Sequence, residues 1–219
     1  DATTMVAYLP QGGRSEQEEL QATQMAVKLL NEIETRVADA PNVALARTPA
    51  DLYRHKLEGK LSVMRGIENG YALGRRSTNE HGGLSDFGRK VVAEMNRTGI
   101  MVDLSHAAES SFYDALACST TPIVCSHASS RALCNHPRNL TDDQLRALAK
   151  AGGVAQVTLY HGFLRLDDDG IPATIDDGVR HLMHFIDVAG IDHVGIATDF
   201  DGDGGVPGCA CASELINFT

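Results

Sequence analysis

The feature that most constrains this chain is the alternation of helix signals with short apolar runs. The runs cover residues 5–10, 61–66, 100–104, 122–125, 153–160 and 193–198. A strand with one wet face alternates apolar and polar residues, whereas a strand covered on both faces reads as nearly continuous apolar sequence. Most of these runs are of the second kind, so they predict parallel strands buried on both sides. Helix signals fill the intervals. Ser15 and Glu18 have the spacing of a capping box, and Ala26, Leu30, Ile33 and Val37 follow at helical spacing up to about Pro41. Ser85 is placed to cap a helix with Phe87, Val91 and Met95 on one face and Gly99 just past its end. Thr141 and Gln144 form a second capping box ahead of a helix ending at Gly152. Thr174, with Asp176 and Asp177 in the first turn, opens a helix through Val179, Leu182 and Ile186 to Gly190. Strand–helix–strand repetition predicts an α/β fold built from βαβ units.

Polar residues gather at the carboxyl ends of these runs. One run leads into Ser105-His106, another into Ser126-His127, a third into Glu68-Asn69-Gly70, and the last into Asp199-Phe200-Asp201-Gly202. In parallel sheets and barrels the carboxyl ends of the strands converge on the active site. A single histidine there is as often a hydrogen-bonded structural residue as a functional one. Two imidazoles and two carboxylates at the same end are hard to obtain from core packing. Neutral imidazole and carboxylate are also the ligands of catalytic zinc and similar divalent ions. A carboxylate such as Glu68 has two oxygens and can bridge two ions, which together can hold a hydroxide nucleophile. A second carboxylate, Asp199 or Asp201, can then shuttle protons.

Other polar features carry less. His181 and His184 lie three apart on a helix and read as surface or packing residues, and His55, His81, His136, His161 and His193 have no strand-end context. The segment Asp199-x-Asp201-x-Asp203-Gly204 matches the first half of an EF-hand loop. Its twelfth position, however, is Ala210 where glutamate is needed. Five cysteines with no CxxC pair suit free thiols in a reducing compartment, so a cytoplasmic location is expected. Cys209-x-Cys211 alone is a weak metal signal.

Charge narrows the choice of partners. The 219 residues contain 19 lysines and arginines against 29 aspartates and glutamates, a formal net charge of −10. Nucleic acid demands a basic face to neutralise phosphates, and anionic membrane surfaces do likewise. Neither partner is expected. No apolar run approaches the roughly 18 residues of a membrane span.

Six stretches in order resemble the membrane dipeptidase family of zinc peptidases, bacterial members above all. They are residues 66–70 (GIENG), 83–88 (GLSDFG), 102–106 (VDLSH), 126–130 (SHASS), 136–139 (HPRN) and 198–202 (TDFDG). The resemblance runs from about residue 61 to 208. It implies a (β/α)8 TIM barrel of the metallo-dependent hydrolase type, with a two-zinc site at its carboxyl face. It makes Glu68 the bridging ligand, His106 and His127 the remaining ligands of the second zinc, Asp199 the proton-transfer carboxylate and Arg138 the anchor for the substrate carboxylate. A guanidinium fork suits that last task. The implied activity is zinc-dependent hydrolysis of dipeptides with a free carboxyl terminus, through a metal-bridging hydroxide. A homodimer is compatible with it.

The departures are specific. The family's first zinc needs a His-x-Asp pair at the end of the first strand, and none occurs in the sequence. A strand expected between the Glu68 motif and residues 83–88 has only residues 71–82 to form from. Strands 1 and 4 and the last helix are therefore expected to be missing from residues 1–219, read as a single catalytic domain. The expected cause is omission from a longer protein, with a join at residues 74 and 75. Two alternatives stay open: a non-catalytic barrel that binds peptides or one metal, and another amidohydrolase-like metallohydrolase.

Overall fold

The computed structural model describes residues 2–9, 16–68, 82–166, 170–200 and 202–218, with the backbone alone at Glu16, Glu19, Thr23 and Glu68. The expected join at residues 74 and 75, Ser15 of the first capping box, and Asp201 lie outside the described residues.

Among the described residues, six strands form two parallel three-stranded sheets. In the first, β3 (Leu61–Glu68) is central, flanked by β1 (Ala2–Tyr8) and β2 (Val43–Leu45). In the second, β5 (Val154–Val157) lies between β4 (Val124–Ala128) and β6 (Val194–Ile196). Helix α1 (Glu16–Ala38) connects β1 to β2, and α2 (Pro49–Leu57) connects β2 to β3. Then come α3 (Asp86–Thr98), α4 (Glu109–Cys118), α5 (Asp142–Lys150), the short α6 (His161–Leu164) and α7 (Ile175–Ala189). A 3-10 turn over Ala212–Phe218 ends the described chain. The architecture is thus α/β with parallel strands, and the described residues form two separate sheets rather than one closed barrel.

Local chemistry explains most helix ends. The Thr141 and Thr174 boxes both form, each hydroxyl accepting from the backbone N–H three residues on. Ser85 accepts from Gly88 N–H, and Gly99 closes α3 in the left-handed conformation at φ 72°. The expected face of α3 is met in part: Val91 and Met95 are half-buried and Met95 packs against the core, but Phe87 is 67% exposed, and Gly88 and Val92 are the buried positions.

The run at residues 100–104 forms no strand of its own. It joins β4 through one parallel bridge, Asp103 to Val124. Leu104 N–H donates to the Val124 carbonyl at 2.9 Å, and Val124 N–H donates to the Val102 carbonyl at 3.0 Å. The run at β1 also departs from expectation. It pairs only with β3 at the sheet edge, and Met5, Val6 and Tyr8 are exposed.

The main core lies around the second sheet. Phe112, Leu140, Leu145, Leu148, Leu159 and Phe185 are all buried there. Each such side chain contributes about 1.5–3 kcal/mol relative to exposure. A smaller cluster, Ile33, Val37 and Val63, seats α1 on the first sheet. The second sheet thus has the deeper support, and its strand ends carry most of the polar residues singled out above. No helix among the described residues is long and apolar enough to cross a membrane.

Candidate functional site

The pairing of residues 102–104 with β4 sets up the site. Because that segment runs parallel to β4, the residues just past it lie beside the carboxyl end of the strand. His106 and His127 meet there, with Nε2 atoms 2.8 Å apart and ring centroids 4.9 Å apart at 61°. His127 is buried and His106 half-buried. Either ring nitrogen of a histidine can bind a metal, and here it is the two Nε2 atoms that face one another. Two imidazole nitrogens on one tetrahedral zinc, each at about 2.0–2.1 Å, lie about 3.3 Å apart. The pair needs to spread by only about half an ångström to admit the ion, so its chemistry and geometry fit zinc.

A chain of hydroxyls stands behind His127. Its Nδ1 lies 2.8 Å from Ser126 Oγ, which is 3.3 Å from Ser105 Oγ. Ser105 Oγ donates to Asp103 Oδ1 at 2.7 Å and accepts from the His127 N–H at 3.0 Å. Asp103 Oδ1 also accepts from the backbone N–H groups of Ser105 at 3.0 Å and Ser126 at 3.2 Å. Sequence reading named Asp103, Ser105 and Ser126 only as motif neighbours of the histidines and gave them no role. The available signal was the Ser-His dipeptide repeated at two strand ends.

Arg138 sits on the loop that follows β4. Its Nη2 makes a long 3.5 Å contact with the His127 carbonyl, and its guanidinium carbon lies 5.1 Å from the centroid of the Phe163 ring. That cation–π contact restrains the guanidinium without consuming its donors. Asn139, fully buried, clamps the loop. It accepts from Ser129 N–H at 3.1 Å and donates to the carbonyls of Cys134 and Phe163, both at 2.8 Å. Three residues beyond His127, Ser130 N–H donates to Nδ1 of His181 at 2.9 Å. His181 is therefore a packing residue with two bonds rather than a surface one, since its Nε2 also reaches the Leu164 carbonyl at 3.1 Å. Burial, foremost, pushes its imidazole down to about 4. His184 does have a carboxylate partner, Asp142, at 2.8 Å across from α5.

Asp199 follows β6 and is half-buried. Its backbone is left-handed, at φ 56°, and its carbonyl accepts from Gly202 N–H at 2.9 Å and Gly204 N–H at 2.7 Å. The turn is crowded at both glycines, by the Asp199 side chain at Gly202 and by backbone at Gly204. A Cβ on Gly202 would lie 2.6 Å from Asp199 Oδ1, and one on Gly204 would lie 2.0 Å from the Thr198 carbonyl oxygen. Because β4, β5 and β6 are parallel, Asp199 leaves the sheet at the same end as His127. The axes of β4 and β6 are two strand spacings apart, about 9.5 Å.

His106, His127 and Arg138 are thus gathered directly, and Asp199 shares their end of the sheet. Glu68 is the last residue of β3, at the carboxyl end of the other sheet, and its side chain lies outside the described residues. Among the described residues no group of three or more His, Cys, Asp or Glu is placed to hold a metal. Cys209 is buried and Cys211 exposed beside Ser213, so the CxC pair faces two environments.

Known proteins extend this picture. An uncharacterized dipeptidase of Schizosaccharomyces pombe is 47% identical over 120 residues, 55% of this chain and 29% of that one. The dipeptidase VerJ of Clonostachys rogersoniana is 34% identical over 216 residues, 84% of this chain and 54% of that one. The chain spans about half or less of the length of these relatives. Among solved structures, the probable dipeptidase PvdM from Pseudomonas aeruginosa superposes with a TM-score of 0.81 at 23% identity, covering 93% of this chain and 74% of that one. A metallo peptidase from Rhodobacter sphaeroides, liganded with a phosphinate mimic of the dipeptide L-Ala-D-Ala, gives 0.78 at 27% identity, covering 98% and 78%. The family model for membrane dipeptidases, peptidase family M19, matches residues 74–217, a stretch that contains His106, His127, Arg138 and Asp199. On that match, this chain belongs to the membrane dipeptidase family, peptidase family M19.

Proposed function

We propose that the whole protein is a zinc-dependent dipeptidase acting on dipeptides with a free carboxyl terminus. The observation that carries this reading is the meeting of His106 and His127 through their metal-competent Nε2 atoms at 2.8 Å, at the carboxyl end of parallel strands. The dipeptide mimic held by the Rhodobacter sphaeroides relative supports the substrate class. The finer architecture belongs to the same proposal: a (β/α)8 barrel in the whole protein, in which Glu68, His106 and His127 would hold the zinc and the described sheets would form parts of the wall.

Zinc bound there supplies Lewis-acid chemistry and a nucleophile at neutral pH. Everything else falls to the chain's own residues. Arg138 binds the free carboxylate of the substrate by charge-assisted hydrogen bonds, and Phe163 beneath it keeps the guanidinium plane oriented. Arg138 on the loop after β4 and Asp199 after β6 share the carboxyl end of the second sheet, so both can face one substrate there. Asp199 accepts a proton from the attacking water and returns it to the nitrogen of the departing amine. Its tight turn limits the positions its carboxylate can take, which shortens the search for a productive geometry.

The test uses the full-length protein loaded with zinc. It is expected to hydrolyse simple dipeptides and to leave the same dipeptides untouched once their carboxyl terminus is amidated. Absence of any dipeptide turnover by the zinc-loaded protein overturns the reading.

A further inference from the structure

We propose that Asp103, Ser105 and Ser126 form a directional hydrogen-bonded relay that presets His127 as a metal ligand. The inference rests on the zinc site proposed above and assigns the three residues that prepare it.

With each of the three side-chain contacts taken as a hydrogen bond, donor and acceptor capacity sets the direction of the relay. A carboxylate only accepts, so the Ser105 hydroxyl hydrogen points at Asp103 Oδ1, 2.7 Å away. Having spent its one hydrogen, Ser105 Oγ serves Ser126 as an acceptor. The Ser126 hydroxyl hydrogen therefore points at Ser105 Oγ, across 3.3 Å. Ser126 Oγ is then the acceptor in its 2.8 Å bond with His127, and His127 Nδ1 carries the hydrogen. A neutral imidazole protonated on Nδ1 keeps its lone pair on Nε2, the atom that faces the proposed metal position. The backbone reinforces the arrangement. The His127 N–H donates to Ser105 Oγ at 3.0 Å, and the Ser126 N–H donates to Asp103 Oδ1 at 3.2 Å, so the relay is pinned at both residues.

The two histidines are therefore not equivalent. With the His127 Nε2 lone pair committed as an acceptor, the hydrogen in the 2.8 Å bond between the rings belongs to His106 Nε2. His127 is ready to bind an ion as it stands. His106 must move its proton off Nε2 first. Ser126, Ser105 and Asp103 are positioning residues: they act on the ion through His127. An imidazole ligand commonly donates its other ring N–H to a carboxylate or carbonyl. Here two serine hydroxyls carry the polarisation from a carboxylate one strand away.

The experiment measures zinc affinity of the full-length protein by competition with a chelating indicator, alongside nitrogen-15 NMR of the histidine side chains. Ser126→Ala removes the acceptor at Nδ1 and is expected to weaken zinc binding by about 10–100-fold. Ser126→Thr keeps the hydroxyl and is expected to bind within a few fold of wild type. In the metal-free wild type the His127 nitrogen signals should report hydrogen on Nδ1, and Ser126→Ala should lose that preference. These readouts separate an electronic role from a merely structural one. If Ser126→Ala binds zinc as tightly as a wild type that does bind it, the relay is wrong while the zinc site stands. If the metal-free wild type carries the His127 hydrogen on Nε2, the relay is wrong as well. If the wild type binds no zinc, the site and the relay fall together.

Discussion

The buried His181 makes the stability of the fold depend on pH in a way that can be worked out in advance. Its ring is 2% exposed. Nδ1 accepts the Ser130 N–H and Nε2 donates to the Leu164 carbonyl, so the neutral ring is fully bonded. Charging it would put a hydrogen on Nδ1 as well and displace the Ser130 bond. Burial is the largest influence and lowers the pKa from 6.5 to about 4; the Leu164 bond and the Asp177 carboxylate pull the other way, while His184 and Arg180 add to the lowering. Between about pH 6.5 and 4 the unfolded chain binds a proton at this position and the folded chain does not. Stability therefore rises with pH across that window. The contribution is fully present above pH 6.5 and is lost as pH falls to about 4. At 1.36 kcal/mol per pH unit the loss comes to about 3 kcal/mol. Other groups titrate in the same range, so the contribution is isolated as a difference between two proteins. His181→Asn cannot titrate, and it is expected to be less stable than wild type at pH 7 because it opens a void and strands one of the two bonds. Urea unfolding of both proteins at pH 7, 6, 5 and 4 gives the gap at each pH. The gap should close by about 3 kcal/mol on going down in pH. A gap that stays constant refutes the reasoning, because a His181 that charges equally easily folded and unfolded contributes no slope.

Three further outcomes follow from the site. Asp199→Asn should lower kcat by about 10²–10⁴-fold with zinc content unchanged, since it removes the proton shuttle and no ligand; steady-state kinetics with parallel metal analysis checks this. Arg138→Ala should mainly raise KM and erase the preference for free over amidated dipeptides, as read from kcat and KM on both substrates. Gly204→Ala forces a Cβ to within 2.0 Å of the Thr198 carbonyl oxygen. It should cost more than the roughly 1 kcal/mol expected at Gly59, where φ is 68° and nothing lies within 4 Å. Thermal unfolding of the two variants side by side compares them.

What could be read from the sequence was mostly what is decided locally. The Thr141, Thr174 and Ser85 caps involve residues three apart and the left-handed Gly99 needs no partner, so their signals survive without tertiary information. Helix α2 carried such a signal too: Thr48 forms a capping box with Asp51, ahead of Pro49, but aspartate stands where glutamate or glutamine is usual. Helix α4 starts at Ala108 with no side-chain cap, and β2 is three residues long, so neither announces itself. Helix α3 shows the limit of periodicity: Met95 packs against the core as its spacing suggests, while Phe87, the most apolar candidate, is exposed and Val92 is buried. At the site, His106 and His127 stood out because two imidazoles and two carboxylates fall at the same end of the apolar runs. The residues that orient them did not. Asp103, Ser105 and Ser126 are ordinary polar residues until the chain pairs residues 102–104 with β4. The sequence left His181 as either a surface or a packing residue, and its bond to Ser130, which decides for packing, spans 51 positions and has no sequence signature.

The central claim is that His106 and His127 hold a divalent ion between them. Zinc-edge anomalous diffraction from crystals of the full-length protein tests it most directly. The account predicts an anomalous peak about 2.0–2.1 Å from Nε2 of both histidines, with those nitrogens spread from 2.8 Å to about 3.3 Å. A zinc-loaded crystal with no peak there, and the two rings still hydrogen-bonded to one another, would contradict it.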